Sequence, residues 1–219
     1  MKLDSLDNER PIVNLLREEY FDLLPDIRRV VWQLETEIRY LTLPILHSLK
    51  RHEQLVVKSR IKECESAVKT LRKQEGRFFD PEKPGGYSLL DLPDLAGVRV
   101  LVFPNSKLVE VDNALHEHFR EWTYKPVKDG NTVLAPKYYG FCDEVSSKVR
   151  GEYQIVPMLI GLFWDVEHSA MYKSRGAANS GEMKKYRADV YDALFRFEEG
   201  IETFEQTYTE PPSNASTQV

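Results

Sequence analysis

Two short apolar runs, each tied to a carboxylate, constrain this chain more than anything else in it. Val98-Arg99-Val100-Leu101-Val102-Phe103 is dense in β-branched and apolar residues, and Asp94 stands just ahead of it. Gly151-Glu152-Tyr153-Gln154-Ile155-Val156 carries its acid, Glu152, inside the run. Runs of this length and density read as strands buried on both faces, which need a sheet with helices against it. Pro157 ends the second run, and a helix is predicted from Met158 to Lys173.

The rest of the chain supplies helices. The first 75 or so residues read as helical, with Ile27, Val30, Val31, Leu34, Ile38 and Leu41 on one face; Pro25 can begin that helix and Pro44 interrupts it. A further helix is predicted from about Glu63 to Glu75, a Pro/Gly-rich loop over 80–93, and a helix from Lys107 to Glu121. Trp122 to Val127 reads as a short strand and Lys128 to Phe141 as a loop. Glu144 to Val149 is expected to pair with Gly151 to Val156. Past a Gly/Ser/Asn-rich linker at 174–181, a last helix over 182–208 presents Tyr186, Val190, Leu194, Phe197, Ile201, Phe204 and Tyr208 at steps of three and four. That stripe can pack on its own domain or on a second copy. The tail 210–219 is expected to be disordered. The order of elements gives an α+β class: one mixed central β-sheet flanked by helices, a single domain over 1–209 with a core at 57–173.

Charge narrows the partners. A net charge of −5 over 219 residues argues against a general nucleic-acid binder, so DNA is not expected as a partner. Yet residues 58–77 carry seven Lys/Arg against three Glu, while 189–210 carry seven Asp/Glu against one Arg. A basic island in an acidic protein suits a small polyanion. The two cysteines, Cys64 and Cys142, form no CxxC, which disfavours zinc ribbons and disulfide scaffolds. The polar start Met1 to Asp7 is unlike a signal peptide, and no apolar run reaches the roughly 18 residues of a membrane span. A cytoplasmic location is expected.

Several residues carry chemistry. Ser66, Lys69 and Lys73 lie at helical spacing, with Arg60 and Lys62 in the approach; several cations on one face neutralise a triphosphate, although a solvated helix face has the same composition. Asp94 offers a hard oxygen to Mg²⁺, which takes one or two carboxylates plus phosphate oxygens. Arg99, inside an apolar run, must pair or stack, and a planar guanidinium matches a nucleobase. Pro136-Lys137-Tyr138-Tyr139-Gly140-Phe141 joins a cation and a hinge-like glycine to aromatics that stack on bases or pack on the core. Glu152 in apolar surroundings is placed to accept a proton or hold a metal. Glu167-His168 reads as a structural pair.

Together these segments resemble the synthetase domain of RelA/SpoT-type enzymes, which make guanosine 3′-pyrophosphate alarmones. Arg60-Ile61-Lys62 with Ser66 is similar to the family's Arg-x-Lys-x-x-x-Ser donor segment, and Asp94-Leu95-Ala96-Gly97-Val98-Arg99 to its Asp-Ile-Ala-Gly-Ile-Arg. Pro136-Lys137 with Gly140-Phe141 resembles its acceptor loop. Glu152-Tyr153-Gln154-Ile155 and the stretch Phe163 to Lys173 resemble its Glu-Ile-Gln-Ile strand and trailing helix. The resemblance covers about Val57 to Lys173.

It implies a nucleotidyltransferase-like synthetase fold with helical extensions at both ends. It also implies an ATP-dependent nucleotide pyrophosphokinase with Mg²⁺ as cofactor. Arg60 and Arg99 would sandwich adenine, while Lys62, Ser66, Lys69 and Lys73 hold phosphates. Asp94 and Glu152 would hold the metal, and Glu152 would activate the 3′-hydroxyl of an acceptor, GDP or GTP, bound by Lys137, Phe141 and Gln154. The family's next donor lysine is Thr70 here, its acceptor tyrosine is Phe141, and its following Arg and His fall at Cys142 and Val145. Its Gln-Ile-Arg-Thr is Gln154-Ile155-Val156-Pro157. The acceptor side therefore departs more than the donor side. That leaves open a toxic relative acting on adenine nucleotides or tRNA 3′ ends, and a non-catalytic nucleotide-binding module. No His…His-Asp hydrolase motif precedes the segment, so a small stand-alone synthetase is expected, with the C-terminal helix as a possible homo-oligomer contact.

Overall fold

The computed structural model describes residues 4–73, 88–143, 148–173 and 181–209. Helix α1, Asp4–Ser48, runs 45 residues without a break. Pro25 and Pro44 lie within it, so the expected start and interruption are not found. A helical proline costs about 3 kcal/mol, but each fully buried aliphatic side chain contributes about 1.5–3 kcal/mol. Leu23, Ile27, Val30, Leu34, Ile38 and Ile45 continue one buried stripe past both prolines. Burial wins.

The chain then enters β1, Gln54–Ile61, a strand that the sequence reading missed. Helix α2, Cys64–Lys73, and a 3₁₀ turn at Leu89–Asp91 lead to β2, Ala96–Phe103. Helix α3 covers Leu108–His118. The stretch expected to be a loop folds as β4, Val127–Asp129, β5, Thr132–Ala135, and β6, Lys137–Gly140, after the short β3, Thr123–Tyr124. Gly130, with φ of +56°, turns β4 into β5 at Asp129-Gly130, a left-handed position that favours glycine. β7 is Gly151–Pro157, followed by α4, Met158–Lys173, and α5, Gly181–Thr209. Both helices fall where the apolar pattern put them.

The main sheet has the order β1-β2-β7-β6-β3, with β2 and β7 parallel and the other neighbours antiparallel. β7 is therefore central, flanked by β2 and β6 rather than by 144–149; residues 144–147, like the loop at 80–87, the linker at 174–180 and the tail, lie outside the described residues. The architecture is the expected α+β layering.

Because side chains alternate along a strand, each strand serves two faces. One face is core: Leu55, Val57, Val98, Val100, Val102, Tyr138, Tyr153 and Ile155 pack with Leu34 and Ile38 of α1 and Val111 and Leu115 of α3. Trp122 closes this layer so tightly that a Cβ on Gly140 would sit 2.4 Å from its ring. Gly140 is thus a close-approach glycine inside a strand, not a hinge. The other face is half covered: Leu101 and Val156 pack under Ile160 of α4 and Tyr191 of α5, leaving the remaining half open.

Helix α5 docks through its acids. Glu198 and Glu202 accept the backbone N–H groups of Asn105 and Ser106 at 3.2 and 3.0 Å. Tyr191 is buried, whereas Tyr186, Phe197, Phe204 and Tyr208 stay exposed. Part of the stripe packs on its own domain and part faces outward. No described helix is long and apolar enough to cross a membrane.

Candidate active site

Strand register assembles the site. On the open half-face, Arg60 of β1 lies opposite Gly97 of β2, which faces Glu152 of β7, which faces Tyr139 of β6. The next row is Lys58, Arg99, Gln154 and Lys137. Segments far apart in sequence thus place Lys137 beside the carboxylate of Glu152, with Arg60 and Arg99 within its field. Gly97 leaves the floor between Arg60 and Glu152 bare. A Cβ there would meet nothing closer than 3.7 Å, so backbone sterics do not demand this glycine.

Glu152 is 6% exposed. Gln154 Nε2 donates to its Oε1 at 2.6 Å, and Lys137 Nζ lies 3.5 Å from its Oε2. Burial pushes its pKa above the ordinary carboxylate value; Lys137 pulls it down and the charge of Asp94 pushes it up again. The two acids therefore sense one another across β2 and β7. In Lys137 burial is the largest influence and lowers the pKa, but Glu152 and Tyr139 together outweigh it, and the net shift is upward.

Asp94 enters from the segment ahead of β2. Lys62 N–H donates to Leu95 O at 3.0 Å, clipping the end of β1 to that segment. The Lys62 ammonium is then 2.5 Å from Asp94 Oδ2, while Asp94 Oδ1 is buried with no hydrogen-bond partner. A buried carboxylate oxygen without a donor fits a cation ligand. Lys62, expected on phosphates, is itself buried at 6% exposure and engaged with that carboxylate.

Arg99 donates to Asp165 Oδ1 of α4 at 3.1 Å, and its Cζ lies 5.4 Å from the Trp164 ring centroid. Burial lowers its pKa, with Asp165 opposing and Arg60 reinforcing the shift. Lys58 Nζ is 3.6 Å from the other Asp165 oxygen. Arg60 is exposed at the open edge.

The remaining expected residues divide. Phe141 follows β6, 37% exposed, with the Arg150 guanidinium 5.7 Å from its ring centroid. Ser66, Lys69 and Lys73 are exposed on α2. Lys69 and Lys73 line a cleft of about 380 Å³ with Val13 and Arg17 of α1 and Glu65, Val68 and Arg72 of α2. Ser66 does not line it. Two of the expected phosphate lysines thus face the α1–α2 groove rather than the sheet. Glu167 pairs with Arg187 of α5, the structural role expected of it. Sequence reasoning missed Lys58 and Asp165. The strand period from Arg60 to Lys58 is the signal that finds the first; nothing local marks the second.

The class defined here is a mixed-sheet α+β domain with a cation-ringed, buried carboxylate on an open half-face. No family model matches the sequence, and no curated protein does. Among solved structures, the small alarmone synthetase 1 from Bacillus subtilis bound to its product pppGpp aligns with a TM-score of 0.67 at 16% identity, covering 88% of this chain and 100% of that one. The same synthetase bound to AMPCPP aligns at 0.64 with 18% identity, covering 89% and 100%. A GTP pyrophosphokinase family protein from Streptococcus pneumoniae aligns at 0.61 with 20% identity, covering 86% and 94%. The chain has the fold of the small alarmone synthetases.

Proposed function

We propose that this chain is a Mg²⁺-dependent pyrophosphokinase that moves the β,γ-pyrophosphate of ATP to the 3′-hydroxyl of an acceptor nucleotide. The observation that carries this reading is Glu152: a buried carboxylate with a raised pKa, beside a bare floor at Gly97 and within the field of Asp94. A base of raised pKa takes a hydroxyl proton more readily than an ordinary carboxylate. The synthetase of this fold solved with AMPCPP and the one with pppGpp support a nucleotide donor and a pyrophosphorylated nucleotide product.

In the proposed step the acceptor 3′-oxygen bonds to the β-phosphorus of ATP. The bond from that phosphorus to the α,β-bridging oxygen breaks, and AMP leaves. The hydroxyl proton passes to Glu152. Arg60 and Arg99 bracket the donor base, and Lys58 adds positive charge beside them. Ser66 is exposed on α2, while Lys69 and Lys73 face the α1–α2 groove rather than the sheet, so they add positive charge near the donor side without contacting the phosphates in this step. Lys137, Gln154 and Phe141 receive the acceptor, GDP or GTP, from the β6 side. Asp94 and Glu152 would hold Mg²⁺, and its chemistry there is to neutralise charge on the transferring phosphates. Everything else is positioning by the sheet. The exposed aromatics of α5 would carry a homo-oligomer contact.

The test is incubation with γ-labelled ATP, Mg²⁺ and a panel of GDP, GTP, adenine nucleotides and tRNA, read by mass spectrometry. Label appearing as a pyrophosphate on a guanine nucleotide supports the full reading. Label only on an adenine nucleotide or tRNA keeps the chemistry and replaces the acceptor. Transfer to none of them refutes the proposal.

A further inference from the structure

We infer that Trp164 and Asp165 are positioning residues for the donor base, and that Tyr191 of α5 locks Trp164, so the C-terminal helix sets how tightly that base is held. The inference rests on the donor-site reading above and deepens it.

A guanidinium is a flat plate with two faces and an edge of donors. In Arg99 one face lies over the Trp164 ring, Cζ 5.4 Å from its centroid, and the edge donates from Nη1 to Asp165 Oδ1 at 3.1 Å. Lys58 approaches the other Asp165 oxygen at 3.6 Å and biases the carboxylate towards this side of the sheet. Arg99 is thus held by Trp164 and by Asp165, and the proposed base takes the side of the guanidinium away from the indole. Burial lowers the Arg99 pKa most and its like-charged neighbour Arg60 lowers it further, and a π-system between two guanidinium groups relieves such a repulsion.

Trp164 is itself held. Its indole N–H donates to the Tyr191 hydroxyl at 2.8 Å. Tyr191 is 6% exposed, buried with Leu101, Val156 and Ile160, and meets Phe163 edge to face at 5.5 Å. The path from β2 through α4 to α5 is therefore continuous: Arg99, Trp164, Tyr191. A purely structural role explains Asp165 poorly. Ile160 already anchors α4 over Leu101 and Val156, and a carboxylate 52% exposed contributes little as a surface ion pair. What the pair does is remove the freedom of Arg99 before a ligand arrives, and preorganisation of one long side chain lowers the cost of binding.

The experiment is calorimetric titration of the full chain, with Mg²⁺, against α,β-methylene ATP and against tripolyphosphate, which has no base. Trp164→Leu, Asp165→Asn and Tyr191→Phe are each measured. The expected result is a rise of about three- to tenfold in the Kd for the ATP analogue relative to that for tripolyphosphate in the first two, the loss from one unfixed side chain. A smaller rise is expected in Tyr191→Phe, and Trp164→Phe should recover part of the loss by restoring an aromatic face. Unchanged Kd ratios in Asp165→Asn and Tyr191→Phe, both of which keep the packing, overturn the inference even if Trp164→Leu fails to fold. Equal weakening of both ligands overturns it too, because that marks a general structural defect. A wild-type chain that binds tripolyphosphate but no ATP analogue overturns the donor-site reading instead, and this inference with it.

Discussion

Replacing Lys62 with methionine tests the wiring of the site more sharply than removing either carboxylate. The Lys62 ammonium, at 6% exposure, is the hydrogen-bond partner of Asp94 Oδ2, and Asp94 Oδ1 already lacks one. Lys62→Met leaves both oxygens of a mostly buried carboxylate without a donor. Breaking a fully buried pair costs about 3–5 kcal/mol; the Asp94 side chain keeps 25% exposure, so water lowers this to about 2–3 kcal/mol. At about 2.1 cal/mol/K per residue, 219 residues unfold with an entropy near 0.46 kcal/mol/K, so Tm should fall by about 4–7 °C. Thermal unfolding by circular dichroism in EDTA is the assay. Two controls give the reasoning its edge. Lys62→Met/Asp94→Leu should regain most of the loss, because no charge is then stranded. Mg²⁺ should raise the Tm of Lys62→Met more than that of wild type, because a cation replaces the missing ammonium; saturation at a hundred times Kd adds about 2.7 kcal/mol. A single variant as stable as wild type, or a double variant no better than the single, would refute the argument.

Other outcomes follow from the same geometry. Gly97→Ala should keep the wild-type Tm, since a Cβ there meets nothing closer than 3.7 Å, yet cut transfer about tenfold by intruding on the floor between Arg60 and Glu152; unfolding and steady-state rates check both halves. Glu152 has a folded pKa above its unfolded value, so its contribution to stability is fully present below the unfolded carboxylate pKa and lost as pH rises through the folded one. Glu152→Gln should therefore raise the metal-free Tm at neutral pH, with the gap closing towards acid; a lower Tm at neutral pH contradicts this. Gly140→Ala forces a Cβ to 2.4 Å from the Trp122 ring and should cost about 1–3 kcal/mol in denaturant unfolding, and an unchanged midpoint would remove the close-approach explanation.

The elements legible in the sequence are those with a dense apolar run or a periodic apolar stripe. β2 and β7 are such runs, α5 carries such a stripe and α4 starts after Pro157, and all four appear where the sequence put them. β1 was hidden because it is an edge strand whose open-face residues, Lys58 and Arg60, belong to the site, leaving only Leu55 and Val57 buried. The segment from Lys128 to Phe141 looks like a loop for a related reason: its Gly and Pro punctuate three short strands. Pro25 and Pro44 mislead because tertiary burial outweighs a local penalty. At the site, Asp94, Arg99 and Glu152 stand out as charges in or beside apolar runs, where a charge needs a partner or a task. The attachment of Lys62 to Asp94, and of Arg99 to Asp165, depends on register and helix docking across distant segments. No spacing rule carries that information. The turn of Lys69 and Lys73 towards α1 likewise depends on which flank of α2 is buried.

Acceptor-dependent release of AMP is the most direct measure of the central claim. With ATP, Mg²⁺ and the acceptor that the panel selects, the wild-type chain should release AMP in equal amount to pyrophosphorylated acceptor. Glu152→Gln should fold, bind the ATP analogue and release none. ADP or orthophosphate in place of AMP, or full turnover by Glu152→Gln, would contradict pyrophosphate transfer through this carboxylate.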